Sequence, residues 1–221
     1  MLQPETMPFS FRSIRRSRSV ELLASLVLLM GVAGFVDLHT TYEVIVSLLF
    51  AFVLVTAVRF VTAKNRLRMI VYVLAVLWLV IKSIVVVTQN EFLQVVADIP
   101  FIAFCFFCVG MILRYIVTAK EVDFEVVCAS VSAYLLIAIT WAVSYRLIYG
   151  LRPESFRVTE GGAETSLAHF IYFSLTTITT LGYGDITPVS IPVGIWATLE
   201  AATGVFYMAI LVARLVSVYR A

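Results

Sequence analysis

The stretch Thr177-Ile178-Thr179-Thr180-Leu181-Gly182-Tyr183-Gly184-Asp185 concentrates the chemistry this chain offers. Gly182 and Gly184 alternate with bulkier residues, and glycine takes a positive φ without a Cβ penalty. A backbone that alternates its handedness residue by residue can turn successive carbonyls to one side. A row of carbonyl oxygens is a ladder of ligands suited to a cation stripped of water. The Thr180 hydroxyl would extend that ladder, and Tyr183 would point outward into packing and hold the strand open. Asp185 adds a carboxylate at one end, where it would concentrate cations. Catalysis has no comparable support: the sequence carries no clustered metal ligands and no convincing nucleophile–base pair, so an enzyme is not expected.

The nonamer resembles the selectivity filter of the potassium channel family, usually T-x-x-T-x-G-Y-G-D, with Leu181 where valine or isoleucine is commoner. Carbonyl selectivity is the mechanism long described for that filter itself, so here it is what the resemblance implies. K+ would be coordinated by the backbone carbonyls of Thr180, Leu181, Gly182 and Tyr183, with Gly184 ending the filter. K+ is then the permeant ion, and no cofactor is implied. Thr177 and Thr179 would support the filter from its helix side. An ordinary glycine-rich turn can also read G-Y-G-D; the full nonamer, set between a short apolar run and a long apolar helix, favours a pore. Related channels offer the filter aspartate a pore-helix Trp and a Glu. Phe173 and Thr176 hold those places here, so the anchoring of Asp185 is either absent or rebuilt with Tyr172.

The elements that must position this loop follow from composition. Of 221 residues, 62% are hydrophobic and 14% charged, which puts the chain in the membrane. Net charge is only +2, so nothing favours a nucleic-acid partner. Apolar runs cover about 20–36, 43–61, 69–88, 98–117, 125–149 and 189–218, against the roughly 20 residues that cross a bilayer. Residues 166–179 are apolar but too short to span, which fits a re-entrant helix capped by Thr165 or Ser166 after Gly161-Gly162. The expected fold is an all-α integral membrane protein. A basic arm (1–19) precedes a four-helix unit (20–117), a short linker (118–124) and a pore domain (125–221). Within the pore domain lie an outer helix (125–149), a pore helix (166–179), the filter (180–184) and an inner helix (189–218). The resemblance covers the helix–loop–helix part and implies a homotetramer, each chain supplying one quarter of the ring.

Basic residues set orientation. With the N-terminus inside, Arg12, Arg15, Arg16, Arg18, Arg59, Lys64, Arg66, Arg68, Arg114, Lys120, Arg214 and Arg220 gather at inner ends, and Arg146, Arg152 and Arg157 outside. Both termini are expected in the cytoplasm, with the chain multi-pass in the inner or plasma membrane. Tyr42, Tyr145 and Tyr149 would mark the outer boundary, and Tyr72, Tyr115 and Tyr219 the inner one. The arginine-rich arm could bind anionic lipid, although a topology signal explains it equally. Cys105, Cys108 and Cys128 lie in apolar runs and read as small buried hydrophobes, despite the C-x-x-C spacing of the first two.

Gly204 stands nineteen positions after Asp185, an offset that resembles the hinge glycine of potassium-channel inner helices; close packing is the other reading. Helical spacing groups Met208, Leu211, Val212 and Leu215 with it as a vestibule lining. Glu200 is an intramembrane carboxylate, functional by default or hydrogen-bonded behind the filter. Lys82, inside the third helix, either snorkels or pairs with Asp37, Glu43, Glu91 or Asp98. His39 and His169 read as surface histidines. The fourth run carries only Arg114, so strong voltage gating is not expected. Nothing after the last helix suggests gating by a nucleotide or calcium module. Alternatives are a weakly selective cation channel, or a potassium-uptake or regulatory subunit.

Overall fold

The computed structural model describes residues 18–35, 40–60, 65–88, 90–158 and 166–219. The expectations that rest on Arg12, Arg15, Arg16, Asp37, His39, Lys64, Gly161, Gly162, Thr165 and Arg220 lie outside them. The α-helices among these described residues are α1 (Arg18–Phe35), α2 (Thr40–Phe60), α3 (Asn65–Thr88), α4 (Glu91–Thr118), α5 (Phe124–Leu151), α6 (Leu167–Ile178) and α7 (Ile191–Tyr219). Two short strands, β1 (Phe156–Val158) and β2 (Ile186–Pro188), pair antiparallel with Phe156 opposite Pro188.

Local chemistry sets the helix ends. Asn90 caps α4, its Oδ1 accepting the Leu93 amide at 3.1 Å, and Asp123 caps α5 through the Val126 amide at 2.9 Å. Such caps satisfy amides that have no partner within the helix. The Asn90 cap starts α4 at Glu91, a correction to the start expected near residue 98. Pro100 is consequently an interior residue, where its missing N–H forfeits one helical hydrogen bond. Among the described residues, three stretches are long and apolar enough to cross a membrane: Phe92–Thr118, Phe124–Leu151 and Ile191–Arg214. Ser47–Arg59, Met69–Val85 and Leu167–Ile178 are shorter apolar helices.

α5 is the hub, packed against α4, α1, α6 and α7. Its buried Ala129, Ser130, Ala133, Ala138 and Ala142 let neighbouring backbones come close. α1 buries the stripe Leu22, Leu26, Leu29 and Ala33 and meets α2 through Ser25 Oγ and Thr56 Oγ1, 3.0 Å apart. Phe50, Trp78 and Phe101 form an aromatic knot joining α2, α3 and α4, with centroids 5.0 to 6.2 Å apart. Cys105, Cys108 and Cys128 are all buried and free.

Polar contacts tie α4 to its neighbours. Asp98, 1% exposed, is held by Arg146 of α5 through both Nε, at 3.0 Å, and Nη2. Lys82 is buried, and its Nζ donates to Gln94 Oε1 at 2.8 Å. Of the carboxylates considered for Lys82, Asp98 is therefore engaged by Arg146, while the side chains of Glu43 and Glu91 lie outside the description. At the far end, Arg214 of α7 donates through Nη2 to the carbonyls of Val117 (3.0 Å) and Ala119 (2.9 Å). Carbonyls at a helix C-terminus lack helical partners, and a guanidinium suits them in charge and geometry.

α7 buries only a narrow stripe, including Val193, Ala197, Glu200 and Gly204, and leaves Ile195, Leu199, Val205, Phe206 and Ile210 exposed.

Candidate functional site

α6 begins where Ser166 and His169 close on one another. The Ser166 amide donates to His169 Nδ1 at 3.2 Å, and Ser166 Oγ lies 3.0 Å from the same nitrogen. His169 is thus a capping partner, a role the surface reading missed. At its other end α6 stops at Ile178, and the chain turns sharply. The Thr176 carbonyl accepts the amides of both Leu181 (2.8 Å) and Gly182 (3.0 Å), and the Thr177 carbonyl accepts that of Thr180 (2.9 Å).

Beyond the turn the backbone alternates in hand. Thr180 has φ +59, Gly182 φ +53 and Gly184 φ +82, whereas Leu181 and Tyr183 do not have positive φ. Positive φ is ordinary for glycine but a genuine outlier for a β-branched residue, at a cost on the order of 1–3 kcal/mol. Thr180 is held there by its own amide bond and by the Leu181 bond that follows. The segment then runs into β2, whose pairing with β1 and the Val189 amide bond to the Ser155 carbonyl (2.8 Å) fix its exit.

The flanking side chains fall into two groups. Thr177 Oγ1 and Thr176 Oγ1 both donate to the Phe173 carbonyl, at 2.7 and 2.9 Å, and Thr179 Oγ1 donates to the Leu175 carbonyl at 2.6 Å. These hydroxyls are spent on α6 itself. Phe173 is buried among Tyr145 (5.0 Å) and Phe156 (5.8 Å), so it serves the aromatic core beneath the loop. Asp185 Oδ1 accepts the Ile186 amide at 3.0 Å, a bond to its own neighbour. Tyr172 stacks on Tyr183, with rings 6.3 Å apart and 7° from parallel. Tyr183, at 66% exposed, and Leu181, at 57%, both project from the chain. Within one chain, the stacked Tyr172 is thus the ring contact that Tyr183 makes.

Behind α6 lies a buried polar set. Glu200 of α7 is fully buried, its Oε2 accepting the Tyr145 hydroxyl at 2.7 Å and its Oε1 in contact with Ser174 Oγ. Ser174 Oγ also lies 2.7 Å from the Ala138 carbonyl. Tyr145 is consequently an interior partner of Glu200, since one carboxylate in an apolar helix demands a hydroxyl partner. Tyr134 donates to the Ile178 carbonyl at 3.1 Å and Tyr207 to the Ser130 carbonyl at 2.6 Å. Sequence reasoning overlooked Tyr134, Ser174 and Tyr207, and in Tyr145 it saw a boundary residue without its carboxylate partner. A tyrosine amid an apolar helix is the signal that would have found three of them, because its hydroxyl must reach a partner.

Gly204 faces the end of α6, where an added Cβ would lie 2.1 Å from the Ile178 carbonyl oxygen. Close approach, one of the two readings of this glycine, is what the geometry displays. The face expected to include it is split. Gly204 is buried and Leu211 half-buried against the core, while Met208 and Val212 are exposed. At about 100° per residue, the latter two turn progressively away from Gly204. The Leu215 side chain lies outside the description.

Comparison with protein-family models matches residues 132–221 to a family described as Ion channel. No curated protein and no solved structure matches the chain. The matched segment contains most of α5 and all of α6, the alternating loop and α7. Together with the long apolar helices, it supports a largely helical membrane protein whose C-terminal part is similar to an ion-channel domain.

Proposed function

We propose that this chain is one quarter of a potassium-selective channel that conducts K+ passively and is not strongly voltage-gated. The observation that supports this most is the alternation of hand over Thr180–Gly184, directly after a helix too short to cross a bilayer. In this reading four copies of the loop face one axis, and the carbonyls of Thr180, Leu181, Gly182 and Tyr183 replace the hydration shell of K+. The negative end of α6 points toward the ion, and Asp185 rings the outer mouth. Six helices cross the cell membrane with both termini cytoplasmic. The N-terminal arm meets anionic lipid on that side. The apolar surfaces left open on one chain, at Leu181, Tyr183 and the broad face of α7, are those that neighbouring copies and lipid would cover. Met208 and Val212 then line the inner vestibule.

Purified protein in liposomes under opposed K+ and Na+ gradients tests the proposal. K+ flux with a reversal potential near that of K+, from a species that cross-links to four chains, is the expected result. Equal permeation of Na+ would replace it with a weakly selective cation channel. A silent tetramer would indicate a regulatory or uptake subunit.

A further inference from the structure

The three helices around the proposed pore meet at Glu200, the only carboxylate of α7. It is 0% exposed, and among the described residues no cation stands at ion-pair distance from it. A buried carboxylate without a counter-ion is very costly, whereas a neutral acid with every hydrogen bond made is not. The hydrogens can be counted. Ser174 Oγ touches two acceptors, the Ala138 carbonyl and Glu200 Oε1, but a hydroxyl carries one hydrogen. A carbonyl has none to give. The chain closes if Tyr145 O–H donates to Oε2, Ser174 O–H donates to Ala138, and Oε1 itself carries a hydrogen donated to Ser174 Oγ.

From this count, and resting on the pore reading above, we propose that Glu200 is a positioning residue that works as a neutral carboxylic acid. It joins α7 to α5 and to the back of α6, and so sets the angle at which α6 delivers the chain into the filter. Ser174 lies four residues before Ile178, whose carbonyl is approached by Gly204 of α7 and by the Tyr134 hydroxyl. The last turn of α6 is thereby fixed at both of its ends, and Thr180 follows two residues later. Among the described residues, Asp185 accepts the amide of its own neighbour Ile186, whereas α6 is met from behind by the inner helix.

The test compares Glu200→Gln, Glu200→Asp and Glu200→Ala in the full-length protein in liposomes. The readouts are K+ flux, the K+/Na+ permeability ratio, tetramer content, and the infrared difference between wild type and Glu200→Gln. Glutamine keeps one donor for Ser174 and one acceptor for Tyr145, so flux and ratio should stay within about twofold of wild type. Aspartate is one methylene short and alanine lacks both groups; each should lower the permeability ratio about tenfold without loss of tetramer. The infrared difference should show a protonated-carboxyl C=O stretch that Glu200→Gln removes and Tyr145→Phe shifts. The idea is overturned if glutamine is as harmful as alanine, if alanine matches wild type, or if the band removed is that of a carboxylate. A wild type without flux would refute the pore reading, and the infrared band would still decide the state of Glu200.

Discussion

Gly182 sits at φ +53 with open space where a side chain would be, so an added methyl would clash with nothing but its own backbone. Left-handed backbone costs an L-residue roughly 1–2 kcal/mol, enough to favour a flipped peptide over the alternating one. Gly182→Ala should therefore abolish K+ flux while membrane insertion and expression stay normal; a liposome flux assay beside a fractionation blot reads both. Gly204 differs, because its methyl would strike the Ile178 carbonyl. Gly204→Ala should lower stability by about 1–3 kcal/mol, seen as unfolding at a lower temperature in a thermal series in detergent. These glycines also mark the limit of what the chain announces. The alternating loop was legible because backbone hand is a local demand that only certain residues meet. The partners of Glu200 were not, since Ser174 and Tyr145 are remote in sequence and become neighbours only after three helices pack.

Helices show the same division. Apolar length located all seven, and the short α6 stood out because it cannot span. The start of α4 was misplaced because Asp98 and Pro100 look like a boundary, whereas Asn90 caps the helix two turns earlier. Charges inside helices were seen, but not how they pair. Asp98 turned out to be held by Arg146, across the α4–α5 contact, and Lys82 donates to Gln94. This ion pair is almost dry on the aspartate side. Removing one partner leaves a buried charge and should cost about 3–5 kcal/mol, while replacing both by apolar residues should cost much less. A double-mutant cycle with Asp98→Leu and Arg146→Met, read by thermal unfolding in detergent, should give a double variant more stable than either single one.

At the level of the whole molecule, the four N-terminal helices are not an appendage, since α4 and α1 both lie against α5 of the same chain. In the proposed channel, voltage has little to act on in this unit. Moving one charge through the field is worth about 2.3 kcal/mol per 100 mV, and α4 carries one arginine near its end. Macroscopic conductance should accordingly vary smoothly between about −100 and +100 mV in planar bilayers; a steep sigmoidal rise would contradict this.

The guanidinium of Arg214 spans from the tail of one helix to the last carbonyls of another, and both carbonyls share a single nitrogen. Should the tail of α7 splay outward, Val117 and Ala119 would lose their donor at the same moment that the guanidinium lost its acceptors. Water alone could replace them all. Wetting of this corner must then accompany any outward movement of the α7 tail, so solvent entry is part of the motion itself.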